Sequence, residues 1–169
     1  MDGEKYMSEN YLILNGEKVE LTEEQIKVLG LEPKKDCFVR VEKGEYYYIN
    51  YDGDVCNAYD DNDEVDDGCF VIANYCTDSE LLKQRALHET LDRLLWRFSM
   101  QNEGERIDWN NFCQEKYYVY YNHVSKKFIT AGCRYSHSIE THFYSREIAQ
   151  RAINEIILPF MKEHSEFVL

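Results

Sequence analysis

An α+β fold, antiparallel sheet packed with two main helices, follows from three features of the sequence. Short runs alternate apolar and polar residues between glycine turns, as strands do. Two longer stretches repeat apolar residues every three or four positions, as helices do, and the order of these elements occurs twice. The 169 residues suffice for a single domain that buries most of its apolar surface, and the 44% hydrophobic and 14% aromatic content is that of a folded chain.

The first apolar runs, in YLILNGEKVEL, flank Asn15-Gly16, a dipeptide that tolerates the positive φ angles of a type I′ turn, so a hairpin is expected. Thr22 with Gln25 forms a capping box and Gly30 supplies a stop, which predicts a short helix between them. After a loop at LEPKKD, CFVRVE and EYYYINY alternate across two faces and are joined by Lys43-Gly44. Asp52-Gly53 then turns the chain into DVCNAY, completing a meander. The acidic residues 60–67 read as a loop and CFVIAN as one more strand. TDSELLKQRALHETLDRLLWRFSM opens on a second capping box, Thr77 with Glu80, and carries Leu87, Leu91, Leu94 and Phe98 on one helical face.

The second half repeats this order. EKYYVYYN and KFITAGC predict a strand pair and THFY a short third strand. Ser145 caps a helix bearing Ile148, Ala152, Ile153, Ile156, Ile157 and Phe160. Pro159 is expected to kink that helix or end its regular hydrogen bonding. The expectation is one domain over 1–169. Within it lie a hairpin, helix and strand in 1–43 and two β-β-β-α units in 44–106 and 107–169, joined through QNEGERIDWNN.

The chain has 19 basic and 32 acidic residues, a formal charge of −13. The excess is local: Asp52, Asp54, Asp60, Asp61, Asp63, Glu64, Asp66 and Asp67 fall between residues 52 and 67 with no base among them, whereas acids and bases balance after residue 107. So acidic a chain is a poor ligand for DNA or RNA, which are held by basic groups that displace counterions, and equally for an anionic membrane. Basic partners, including proteins that hold nucleic acid, are favoured instead. No leader pattern or membrane-spanning apolar run is present, so a cytoplasmic protein is expected. The six cysteines contain no CxxC pair and read as buried thiols, not as disulfides or a zinc site.

The run DDNDEVDD admits three readings. An EF-hand loop starting at Asp60 would need Gly at its sixth position and Glu at its twelfth, where Val65 and Val71 stand. A looser calcium site remains, beside a solvated turn and a contact surface whose carboxylates imitate phosphates towards Arg and Lys. HETLD matches the zinc-protease helix signature until Asp92 replaces the second histidine, so His88 reads as structural. His137 and His142 fall on opposite strand faces. No serine elbow or phosphate-binding glycine loop occurs, and neither catalytic residues, metal nor cofactor are expected.

Tyrosines occupy both faces of the two central strands. Tyr46 and Tyr48 oppose Tyr47 and Tyr51, and Tyr117 and Tyr121 oppose Tyr118 and Tyr120. Tyr47, Tyr51, Tyr118 and Tyr120 are candidate apolar anchors beside the acidic residues, against the plainer reading that tyrosine suits half-buried strands anyway. Trp96 lies off its helix stripe and reads first as core, second as an anchor.

In NYCTDSELLKQRALHETLDRLLWRFSM, IDWNNFCQEKYYVYYN and FYSREIAQRAINEIILPFMKEH, residues 44–165 resemble small acidic uncharacterised proteins of phages, prophages and mobile elements of Gram-positive bacteria. The resemblance lies in cadence and carries no catalytic residues. It implies a mobile-element origin and action on a host or rival system. The expectation is a non-enzymatic protein that binds a basic, nucleic-acid-handling partner, including a host defence protein of CRISPR type. The alternative is a homo-oligomeric assembly protein whose acidic loop only keeps it soluble.

Overall fold

In a computed structural model, residues 11–14, 17–29, 36–102, 107–135 and 140–169 are described. The chain divides into two compact units, 1–37 and 38–169. In the first, β1 (Tyr11–Leu14) pairs antiparallel with β2 (Glu17–Glu20), Leu12 opposite Val19. A short helix, α1 (Glu23–Val28), follows with the expected capping box: the Thr22 hydroxyl accepts from the Gln25 N–H while the Gln25 side chain accepts from the Thr22 N–H. The Asn15-Gly16 turn, the Gly30 stop, His137 and residues 103–106 of the joining segment lie outside the described residues.

Among its described residues the second unit holds two antiparallel hairpins and three helices. β3 (Glu45–Ile49) pairs with β4 (Val55–Tyr59), and β5 (Lys116–Asn122) with β6 (Lys127–Cys133). The helices are α2 (Glu64–Val71), α3 (Ser79–Asn102) and a final one in three parts: α4 (Arg146–Ala152), a π-helical turn (Ile153–Ile157) and α5 (Leu158–Glu163). The fold is α+β. Asn50 closes the first hairpin, its Oδ1 accepting from the Asp52 and Asp54 N–H groups at 2.9 Å each, and Gly53 takes the positive φ of 94° that the turn requires.

Hairpin, single bridge and capped helix follow one another in both halves, but the expected third strand is only a bridge in each, and in the first half α2 stands between the hairpin and its bridge. Tyr47 exchanges both backbone hydrogen bonds with Cys76, at 2.7 and 3.0 Å, and Tyr117 does so with Phe143, at 2.9 and 2.7 Å. Two residues after each bridge a helix is capped. Asp78 accepts from the N–H groups of Glu80 and Leu81, and Ser145 accepts from that of Ile148. The cap of α3 thus falls at Asp78, one residue beyond the expected Thr77, because a carboxylate there reaches the free N–H groups of the first turn.

Two expected strands and the expected acidic loop are otherwise folded. CFVRVE is a run of turns: the free edge of β3 is already bridged by Cys76, and the Val41 N–H is taken by the Tyr75 hydroxyl at 2.9 Å. The first half of CFVIAN completes α2, whose start lies inside the acidic run, and the second half turns away from it. Asp63 caps that helix, accepting from the N–H groups of Val65 and Asp66, and Glu64, Asp66 and Asp67 sit in its first turn, where the helix dipole favours negative charge.

Helix α3 lays its apolar face on the last helix. Leu91 packs with Ile153, Ile157, Phe160 and Phe167, and Phe98 with Phe143, Ala149 and Ala152. Leu87 and Leu94 flank the first cluster, as their spacing predicts. Pro159 has no N–H, and its ring crowds the carbonyl four residues back. The π turn, in which the Leu158 N–H reaches the Ile153 carbonyl, interrupts the regular ladder just there, and the helix continues through it. No disulfide joins the cysteines, and no described helix is long and apolar enough to cross a membrane.

Candidate functional site

The acidic stretch is held from within by a buried cluster of side chains. Asp60, directly after β4, has no exposed surface. Its carboxylate accepts from Arg40 Nε at 2.8 Å and Nη2 at 3.0 Å, from the Tyr75 hydroxyl at 2.9 Å and from the Asn62 N–H at 3.0 Å. Asp66, also buried, accepts from the Tyr46 hydroxyl at 2.8 Å and from the Asp61 and Asp63 N–H groups at 2.8 and 3.3 Å. The rings of Tyr46 and Tyr75 stack at 4.1 Å between these two carboxylates, and Arg40 also pairs with Asp67. Every acceptor that burial removes from water is thereby matched by a donor.

The same contacts set the proton affinities. Hydrogen bonds from Arg40, opposed by burial, hold Asp60 well below the ordinary carboxylate range. Burial, and then the bond to Asp66, push the Tyr46 phenol well above its usual value, and burial raises Tyr75 likewise. An aspartate held ionised by a guanidinium is a weak base, and a phenol held neutral is a weak nucleophile. This cluster is built to hold backbone.

What faces water is a subset of the predicted residues. Asp52, Asp54, Asp61, Asp63 and Glu64 are exposed, with no basic partner among the described residues, and Asp67 is exposed but paired with Arg40. Asp60 and Asp66 lie inside, out of reach of a partner's side chains. Tyr51 stands 94% exposed at the hairpin tip beside Asp52. Tyr47 is half-buried at the bridge, and on the second hairpin Tyr118 is half-buried, its ring 5.9 Å from His142, while Tyr120 is exposed. Sequence reasoning missed an apolar rim: Val65, Val71 and Ile72 of α2 and its C-terminal end are all more than two-thirds exposed. Trp96, expected first as core, is 59% exposed.

His88 and His142 are accounted for by packing contacts. His88 Nε2 lies 3.0 Å from the Val168 carbonyl with its ring against Phe167, and buried His142 meets Trp109 edge-on at 4.9 Å. Among the described residues no group of three or more His, Cys, Asp or Glu side chains is placed to hold a metal ion. Comparison with protein-family models, curated proteins and solved structures finds no match to this chain.

Proposed function

We propose that the protein acts by binding another protein and not by catalysis. Its partner is a basic, nucleic-acid-handling protein of a host or its defence machinery, such as a CRISPR nuclease, met in the cytoplasm. The observation that supports this reading is the anchoring of the acidic segment. Asp60 and Asp66 tie it to Arg40, Tyr46 and Tyr75, and Asn50 holds the hairpin turn, so the outward carboxylates of Asp61, Asp63 and Glu64 and of Asp52 and Asp54 project from ordered backbone. Pre-ordered carboxylates lose little entropy on meeting Arg and Lys, and in that role stand in for phosphate oxygens. The exposed Tyr51, Val65 and Ile72 supply apolar contact next to them in sequence.

The test is a pull-down from host lysate with mass spectrometry, using the native chain and a variant with Asp52, Asp54 and Asp61 changed to Asn and Glu64 to Gln. The expected result is a basic nucleic-acid-binding protein captured by the native chain, lost with the variant and released by raised salt. Equal capture by both forms overturns the electrostatic reading.

A second reading, self-association, rests on β4 and β6, each of which pairs on one side only among the described residues. Light scattering that gives a monomer at high concentration removes it.

A further inference from the structure

A cavity of about 740 Å³ opens between α3 and the end of β3, beside Asn74. Ligand sites are of this size, mostly apolar, with a few polar groups that fix orientation. Leu82 and Cys76 are its fully buried apolar lining, Ile49 is half-buried, and Phe38, Ile72 and Leu81 are exposed around it.

The polar side chains of the wall divide into spent and available. Asn74 is bonded through both amide atoms to the backbone of Ile49, and Asn50 to the turn amides of Asp52 and Asp54. Gln84 holds the Glu166 carbonyl and the Val168 N–H, and His88 the Val168 carbonyl. Arg85 uses Nε on Glu89 at 2.8 Å, leaving its terminal N–H groups without a described acceptor. Arg93 comes no closer than 3.8 Å to Glu89, and its guanidinium has no hydrogen-bonded acceptor among the described residues. The available donors are therefore the two arginines. They outnumber the one carboxylate of the wall, in a chain whose net charge is −13.

We infer that this cavity binds a small amphipathic anion, its apolar body against Leu82, Cys76 and Ile49 and its carboxylate or similar head group on Arg93 and Arg85. Arg93 supplies most of the preference for an anion, since a planar guanidinium can receive two oxygens at once and Glu89 engages it least. The exposed apolar residues around it give the ligand's tail an apolar entrance. The site adjoins the acidic surface at Ile72 and at the Asn50 turn, but Arg85 and Arg93, which take its anion, are not among the side chains that surface uses.

The experiment is a fluorescence titration of the full chain with anilinonaphthalene sulfonate, an apolar ring system bearing one anionic group, competed by decanoate and by decanol. One saturable site is expected, with decanoate competing at least about ten-fold better than decanol. Arg93→Gln should weaken the sulfonate and decanoate about ten-fold while decanol keeps its affinity. Leu81→Glu, at an exposed position that the fold tolerates, should weaken all three by placing a carboxylate at the mouth. Absence of a saturable site, equal competition by decanoate and decanol, or binding unchanged in both variants would each overturn the assignment.

Discussion

Tyr46 in the first hairpin and Lys116 in the second stand at the same place: each precedes the tyrosine that bridges to the third strand, and each is 1% exposed. Around them the two copies differ. Tyr46 stacks on Tyr75 and donates to Asp66, with Asp60 and Arg40 close by. Lys116 donates to the Asn111 carbonyl at 2.7 Å and lies over the Trp109 ring, while His142, which matches Tyr75 by preceding the other bridge residue, meets that ring from the side. One copy buries carboxylates and the other an ammonium on the same scaffold of hairpin, bridge and capped helix. The scaffold does not select the sign of the buried charge; it requires that each charge find its partner.

The comparison breaks most sharply at the charges themselves. Asp60→Asn leaves Arg40 half-buried with one carboxylate fewer and should lower the thermal midpoint by about 10 °C, whereas Lys116→Met, close in volume, should change it by less than about 3 °C. Circular dichroism melts of both variants measure this, and equal losses would mean that the two copies depend on their buried charges alike.

Next comes pH. Arg40 holds folded Asp60 below the unfolded value of 3.8, so its contribution is complete above that value and is lost as the pH falls from there towards the folded one. Tyr46 is raised above its unfolded value of 10.0, so its contribution is complete below that and lost as the pH rises through and beyond it. Denaturant midpoints across pH should fall off at both ends. Asp60→Asn should flatten the acid limb, and Tyr46→Phe, costing about 1–3 kcal/mol at neutral pH because Asp66 loses a donor, should flatten the alkaline one.

The smallest effect belongs to Gly132, opposite Tyr117 in the β5–β6 register. A Cβ there would stand 2.6 Å from Glu115 Oε1, and that carboxylate accepts from the Tyr117 hydroxyl at 2.6 Å. Gly132→Ala should cost about 1 kcal/mol by displacing Glu115, and Glu115→Ala, which removes the crowded side chain, should remove most of the difference in a double-mutant cycle.

Much of this architecture is readable in the sequence wherever the signal is local. The stripe of Leu87, Leu91, Leu94 and Phe98, the isoleucines of the last helix, the Ser145 cap and the paired tyrosine strands all depend on near neighbours. The failures depend on distant ones. CFVRVE alternates like a strand, but whether an edge is free to pair with it is settled by Cys76, far along the chain. Asp60 and Asp66 are buried by Arg40, Tyr75 and Tyr46, fifteen to twenty residues away, and composition alone makes their segment look solvated. Two signals were available: Arg40 is a lone base in an apolar run, and Asp63 with Asp66 has the spacing of a capping box. The cavity, assembled from four separate stretches of chain, left none.

The carboxylates that fold back onto backbone amides have a consequence for enzymes that cut the chain. A protease specific for acidic residues meets six cleavage positions between Asp60 and Asp67, the composition of a linker that such enzymes sever at once. Here the Asp61, Asn62, Asp63, Val65 and Asp66 amides are all held by side chains, so the strand needed in a protease cleft forms only when Arg40 and Tyr46 release it. The most charged segment of the second unit should therefore be among the last to be digested.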